Sequence, residues 1–144
     1  MTPVDELLSA LEKAYEKLPQ TTINQAAKYE PEIIDLNTDQ LFSGLDANGN
    51  PVTPNYSTLT ISIKRQKGQP TNRVTLRDTG EFYRDFEVRF FNDYFAIFSN
   101  DDKTEKLERK YGKDIFGLTN QNILEVAELV KPDLQETFRK QVLV

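Results

Sequence analysis

Hydrophobic positions near the start of the chain recur with a helical period. Val4, Leu7, Leu8, Leu11, Tyr15 and Leu18 are spaced by three or four residues, which predicts an amphipathic helix with one apolar stripe facing a core. Thr2-Pro3 followed by Asp5 supplies its start: Thr as N-cap, Pro at the first helical position and an acid in the first turn. Pro19 is expected to end it. The opposite face is acidic rather than basic, which favours a core-facing helix over one lying on a membrane surface. Thr22 to Lys28 reads as a short second helix ended by Pro31. Ile33, Ile34 and Leu36 read as a short strand leading into Leu41, Phe42 and Leu45, expected to cover the core from a helical turn.

Polar punctuation then interrupts the pattern. Asp46-Ala47-Asn48-Gly49-Asn50-Pro51 is a turn by composition. Its alternating Asp and Asn resemble the opening of a calcium loop, but that loop requires Gly at its sixth position and a bidentate Glu at its twelfth, where this chain has Pro51 and Ser57. From Tyr56 to Lys67 the alternation of Leu59, Ile61 and Ile63 suits a strand. Ser57 as N-cap and the Lys/Arg cluster before Gly68 suit a helix instead. Phe82, Tyr83 and Phe86 form a short aromatic helical face. Glu87 to Phe91 and Tyr94 to Phe98 predict two strands joined tightly across Asn92-Asp93. Lys103 to Tyr111 is a charged helix closed by Gly112. Thr119 caps a helix carrying Ile123, Val126, Ala127 and Val130, and Pro132 opens a last helix with Leu134, Phe138 and Val142.

The predicted class is α+β: an N-terminal amphipathic helix, a small antiparallel sheet with a hairpin at about 87–98, and C-terminal helices. The 144 residues suffice for one domain, 1–144, with a motif-bearing core over 33–98 and a helical part over 103–144. No apolar run approaches the length of a membrane span, and no basic-then-apolar leader opens the chain, so a soluble protein without membrane contact is expected.

Composition narrows the chemistry. The chain has no Cys and no His, which removes thiolate metal sites, Cys nucleophiles, imidazole bases and every Ser-His or Cys-His dyad. The net charge of −5 argues against broad nucleic-acid affinity, but the charge is segregated. From Asp5 to Asp39 acids outnumber bases eight to three, whereas Lys64 to Arg77 carries five bases (Lys64, Arg65, Lys67, Arg73, Arg77) and no acid. Opposite patches on one chain invite a neighbouring copy.

Asp78-Thr79-Gly80 admits two readings. Asp-Thr-Gly is the tripeptide of aspartic proteases, in which two carboxylates share a proton and activate water. It also suits a helix start, with Asp78 as N-cap and Glu81 at the position of a capping-box acid. Arg77 before the motif and Glu81-Phe82 after it disfavour the protease, and Ile115-Phe116-Gly117 only faintly echoes that family's supporting segment. A neighbouring cation would also lower the carboxylate pKa. The pairs Asp35/Asp39, Asp101/Asp102 and Glu105/Glu108 fit solvated helix faces or caps. Gly68-Gln69-Pro70 lacks the ending of a phosphate loop. The basic run lacks the interleaved aromatics of a single-strand binder, and its plain reading is a solvated loop or a contact for an acidic neighbour.

The order Ser57-x-x-Thr60-x-x-x-Lys64, Lys67-Gly68-Gln69-Pro70, then Val74-Thr75-Leu76-Arg77-Asp78-Thr79-Gly80-Glu81-Phe82 and Phe86 resembles the tail-completion and head–tail joining (neck) proteins of tailed bacteriophages. The likeness is strongest to versions in phages of Bacteroides-type gut bacteria and spans about Ile33 to Phe98. It implies a helix at Ser57 to Gln66, a Thr-Gly turn, a short helix and a hairpin. It further implies a non-enzymatic virion protein, assembled in the host cytoplasm, with no catalytic residue, metal or cofactor. Its partners would be other copies of itself in a ring, together with portal, adaptor or tail proteins. In that frame Asp78, Thr79, Gly80, Glu81, Phe82 and Phe86 form the structural turn, and Lys64, Arg65, Lys67, Arg73 and Arg77 are subunit-contact candidates. An acidic lumen wall bearing Glu12, Glu16 and Glu30 would let DNA pass without sticking. The alternatives from other classes are a homodimeric retroviral-type aspartic protease using Asp78 and a small DNA-contacting accessory protein.

Overall fold

The computed structural model describes residues 2–143. Helix α1 (Pro3–Glu16) begins as its sequence predicts: the Thr2 hydroxyl accepts from the Asp5 N–H and the Asp5 carboxylate accepts from the Thr2 N–H, a reciprocal capping box. Its apolar stripe, however, does not enter the core. Ala14 is the buried position, whereas Val4, Leu7, Leu8 and Tyr15 are exposed, Tyr15 to 73%. The small side chains of Ala10 and Ala14 line the boundary with Gln141 at the far end of the chain, so a flank of the helix meets the molecule and the stripe faces out.

Prolines set several boundaries that the apolar pattern misplaces. Helix α2 (Leu18–Ala26) starts earlier than expected, with Pro19 in its first turn. The predicted strand at Ile33, Ile34 and Leu36 is instead part of helix α3 (Glu30–Phe42), with Pro31 in the first turn between Glu30 and Glu32. Proline needs no N–H there, and acids favour the positive end of the helix dipole. The buried positions of α3 are Ile33, Asn37, Gln40 and Leu41, a helical period in which half the members are amides. An apolar-only reading cannot detect it.

Helix α4 (Thr58–Gln66) follows a turn in which the Asp46 carboxylate accepts from the N–H groups of Asn48 and Asn50. The helical reading at Ser57 to Gln66 holds, and the Ser57 hydroxyl accepts from the Thr60 N–H. The one-turn helix α5 (Glu81–Arg84) leads into strands β1 (Phe86–Phe90) and β2 (Phe95–Ser99), so Phe86 opens a strand rather than closing a helix. They pair antiparallel with Phe86 opposite Ser99, Val88 opposite Ile97 and Phe90 opposite Phe95. The alternation buries Phe86, Val88 and Ile97. A two-stranded hairpin is marginal by itself; here α3 lies against β1, and the Glu30 carboxylate accepts the Val88 N–H at 3.1 Å.

Helix α6 (Thr104–Tyr111) ends at Gly112, as predicted. Helix α7 (Asn120–Leu143) is continuous, with Pro132 inside it; the expected break into two helices does not occur. Before the proline Val126 and Val130 are buried; after it Gln25 of α2 donates to Thr137, and Tyr29, in the turn that follows α2, donates to Asp133. Tertiary contact on both sides of the proline thus substitutes for the missing backbone bond. The architecture is α+β: helices gathered on a two-stranded antiparallel sheet, with Ile33, Leu41, Val74, Phe82, Phe86, Ile115 and Val126 in one core.

Candidate functional site

The basic run and the Asp78 turn form one knot at the end of α4. Lys64 is only 8% exposed. Its ammonium donates to the Arg77 carbonyl at 3.1 Å and to Gln69 Oε1 at 3.4 Å, and lies 4.8 Å from the centre of the Tyr56 ring. Carbonyl, amide and aromatic face together replace the water that a buried cation gives up. Lys64 is therefore an internal brace in the folded chain and not an outward cation.

Asp78 does not cap the helix either. Its carboxylate accepts from Lys67 Nζ at 2.8 Å and from Gln69 Nε2 at 3.3 Å. The Lys67 hydrogen bond, followed by that from Gln69, holds its pKa below the usual carboxylate range. The N-cap of α5 is Gly80, at φ +90°, with no side-chain cap; Glu81 is then the first helical residue and not a capping-box acid. A Cβ on Gly80 would meet only the movable end of the Arg84 side chain, at 3.2 Å, so it is the backbone at φ +90° that asks for glycine. Thr79 contributes a long contact of 3.4 Å from the Glu81 N–H to its hydroxyl.

Two tyrosines hold the chain just before the turn. Tyr56 Oη accepts from the Thr75 N–H at 2.8 Å, and Tyr83 donates its hydroxyl to the Thr75 carbonyl. Burial raises the Tyr83 pKa. Leu76, between these anchors and Asp78, adopts φ +56°, a strained value for a non-glycine residue that the clamps on either side maintain. Phe82 packs edge-on to Phe86 at 5.1 Å, and both rings lie against Phe116, at 5.8 and 5.3 Å. The expected pinning of α5 onto the hairpin is thus present. A cleft of about 160 Å³ opens beside the knot, lined by Tyr56, Lys64, Asp78, Glu81 and Lys103.

The remaining cations have different surroundings. Arg73 donates from Nε to the Phe42 carbonyl at 2.7 Å and from Nη1 to Asn72, and stacks over the Phe42 ring. Arg77 also lies over Phe42, at 5.8 Å, but is exposed. Arg65 is exposed, and Lys67 is half exposed beside Asp78. The outward cations are therefore Arg65, Lys67 and Arg77. Of the proposed lumen acids, Glu12 and Glu16 are exposed, while Glu30 is tied to Val88. Among the described residues no group of three or more acids could hold a metal ion, and no helix is long and apolar enough to cross a membrane.

Two features went unread in the sequence. Asn37, fully buried, donates to the Ile115 carbonyl and accepts the Gly117 N–H; Gln40 donates to the Gly117 carbonyl and accepts from Thr119 N–H and Asn122 Nδ2. These amides fix Ile115-Phe116-Gly117 to α3, and their spacing of three was the available signal. Secondly, α4 leaves Leu59 72% and Ile63 45% exposed, while its only buried side chain is Lys64. Compared with known protein families, curated proteins and solved structures, the chain matches none.

Proposed function

We propose that the chain is a non-catalytic structural subunit of a tailed-phage virion, one of several copies in a ring at the neck between portal and tail. The observation that carries this reading is the knot around Asp78. Of the residues on which the resemblance to neck proteins rests, Lys64 bonds Gln69 and the Arg77 carbonyl, and Gln69 in turn bonds Asp78. Ser57 caps α4, Lys64 and Gln69 tie that helix to the turn, and Gly80 turns the chain into α5. A set of residues serving mutual support suits a scaffold that presents surfaces. It suits an aspartic protease poorly, since a carboxylate bonded to Lys67 at 2.8 Å is held ionised rather than left to share a proton with a second acid.

Segregated charge supports assembly from identical copies. Arg65, Lys67 and Arg77 point outward on one segment, and the acids of α1 and α3 lie on another, as a contact between unlike patches requires. Neighbours in the virion would be portal, adaptor or tail proteins. An acidic lumen including Glu12 and Glu16 would offer DNA no phosphate contacts during passage.

Deletion of the coding sequence from a phage that carries it tests the reading. DNA-filled heads and separate tails should accumulate, and the chain supplied in trans should restore infectious particles. Complete, infectious virions without the chain would overturn it. Acid-dependent peptide cleavage lost in Asp78→Asn would put hydrolysis in its place, and salt-sensitive duplex binding would favour a DNA-contacting accessory protein.

A further inference from the structure

We infer that α4 of one copy docks into the groove between α3 and α7 of a second copy, a contact that rests on the ring reading and names the surfaces that would join it. The groove encloses about 550 Å³. Its floor is apolar, formed by Leu36 of α3 and by Leu124 and Leu129 of α7, the last two 60% and 38% exposed. Its rim carries Glu32, Asp35, Asp39, Glu125 and Glu128. Among the described residues none of these five carboxylates has a salt-bridge partner. Exposed leucines ringed by like charge are doubly unfavourable in an isolated molecule: the leucines order water, and the acids repel one another. An apolar element with a basic edge relieves both.

The chain itself contains such an element. Leu59, Ile63 and Lys67 follow one another at four-residue spacing, so two exposed apolar side chains and a cation lie in line along one side of α4. Arg65 and Arg77 are exposed nearby. Dimensions agree as well. At about 1.5 Å per residue the nine residues of α4 rise about 13 Å, and the groove runs from Glu32 to Asp39 on α3, about 12 Å, and from Gln121 to Leu129 on α7, about 13 Å. This is an amphipathic helix in an apolar groove, with charges of opposite sign on the two rims.

Within the folded chain α4 is tied through Lys64 to the Arg77 carbonyl and none of its residues lines the groove, so the contact joins two molecules. Helix and groove are different surfaces, so every copy gives one and receives one, and the series closes into a ring or continues as a filament.

The absence of native cysteine makes the test direct. The full chain carrying Leu59→Cys and Leu124→Cys is treated with a short bismaleimide, after circular dichroism has verified its helix content. A ladder of dimers and higher species is expected. Tyr94→Cys with Leu124→Cys, which places the first thiol at the hairpin tip, should give no ladder above collision. Adding Glu125→Lys and Glu128→Lys to the first pair should slow cross-linking at least tenfold. A ladder no stronger than the hairpin control, or one indifferent to those charge reversals, overturns the contact whatever the phage experiment gives. A specific ladder from a chain dispensable for tail attachment would keep the contact and remove the neck assignment.

Discussion

At the scale of single residues, the same side chains often serve a purpose other than the one their type suggests. Lys64 belongs to a run of five bases and is the one that is buried, because its four-carbon stem lets the ammonium reach the Arg77 carbonyl across the base of the loop. Asp78 lies two residues before the Gly80 N-cap, and its carboxylate accepts from Lys67 and Gln69. This pairing has a pH consequence. Because Lys67 and Gln69 depress the folded pKa of Asp78 below its unfolded value of about 3.9, the pair stabilises the fold above that pH. The contribution is lost as pH falls through the folded pKa. With both side chains about half exposed, solvent screening holds it below about 1 kcal/mol. Asp78→Asn should therefore lower Tm slightly at pH 7 and flatten its decline as the pH falls below about 4. A variant tracking the wild type throughout that range in thermal melts would show that the pair contributes nothing.

At the scale of elements, the prolines illustrate what local pattern can and cannot say. Pro19 and Pro31 read as stops because each follows an expected helix; both lie instead in the first turn of the next helix. Pro132 reads as an opener and lies inside α7. All three placements obey one rule, that proline lacks an N–H, and only neighbouring contacts decide whether its missing bond belongs to a terminus or to an interior. Pro132 is exposed, so Pro132→Ala should restore the bond to the Glu128 carbonyl without disturbing packing. Stability should rise by about 1–3 kcal/mol, measured by urea denaturation. A loss of stability would mean that α7 needs its proline. The caps were better guides: Thr2, Ser57 and Thr119 all begin helices, each accepting from an N–H three residues on. Cap chemistry acts within one turn, so sequence neighbours suffice to predict it.

At the scale of the whole molecule, the apolar stripe of α1 is the clearest departure from expectation. Its period is sound, but the core is filled by Ile33, Leu41, Phe82, Phe86, Ile115 and Val126, and α1 lies outside it. Leu8→Gln should accordingly change stability by no more than about 0.5 kcal/mol, whereas Ile33→Ala should cost about 2–5. Equal losses in calorimetry would place the stripe in the core after all. The candidate site was legible in part. Lys64, Lys67 and Asp78 were singled out together, but their mutual bonds, the tyrosine clamps on Thr75 and the buried amides of α3 span too many residues for any local window.

Periods, caps and turn residues within the chain determined where most helices and the hairpin lie, because each depends on groups a few bonds apart. Which face of each helix is covered was decided by the folded molecule alone. A stripe is buried only if another element occupies the space beside it, and that space is shared by segments up to about a hundred residues apart. The exposed rows on α1 and α4, and the acid-rimmed groove between α3 and α7, are therefore products of tertiary packing that no period in the sequence could announce.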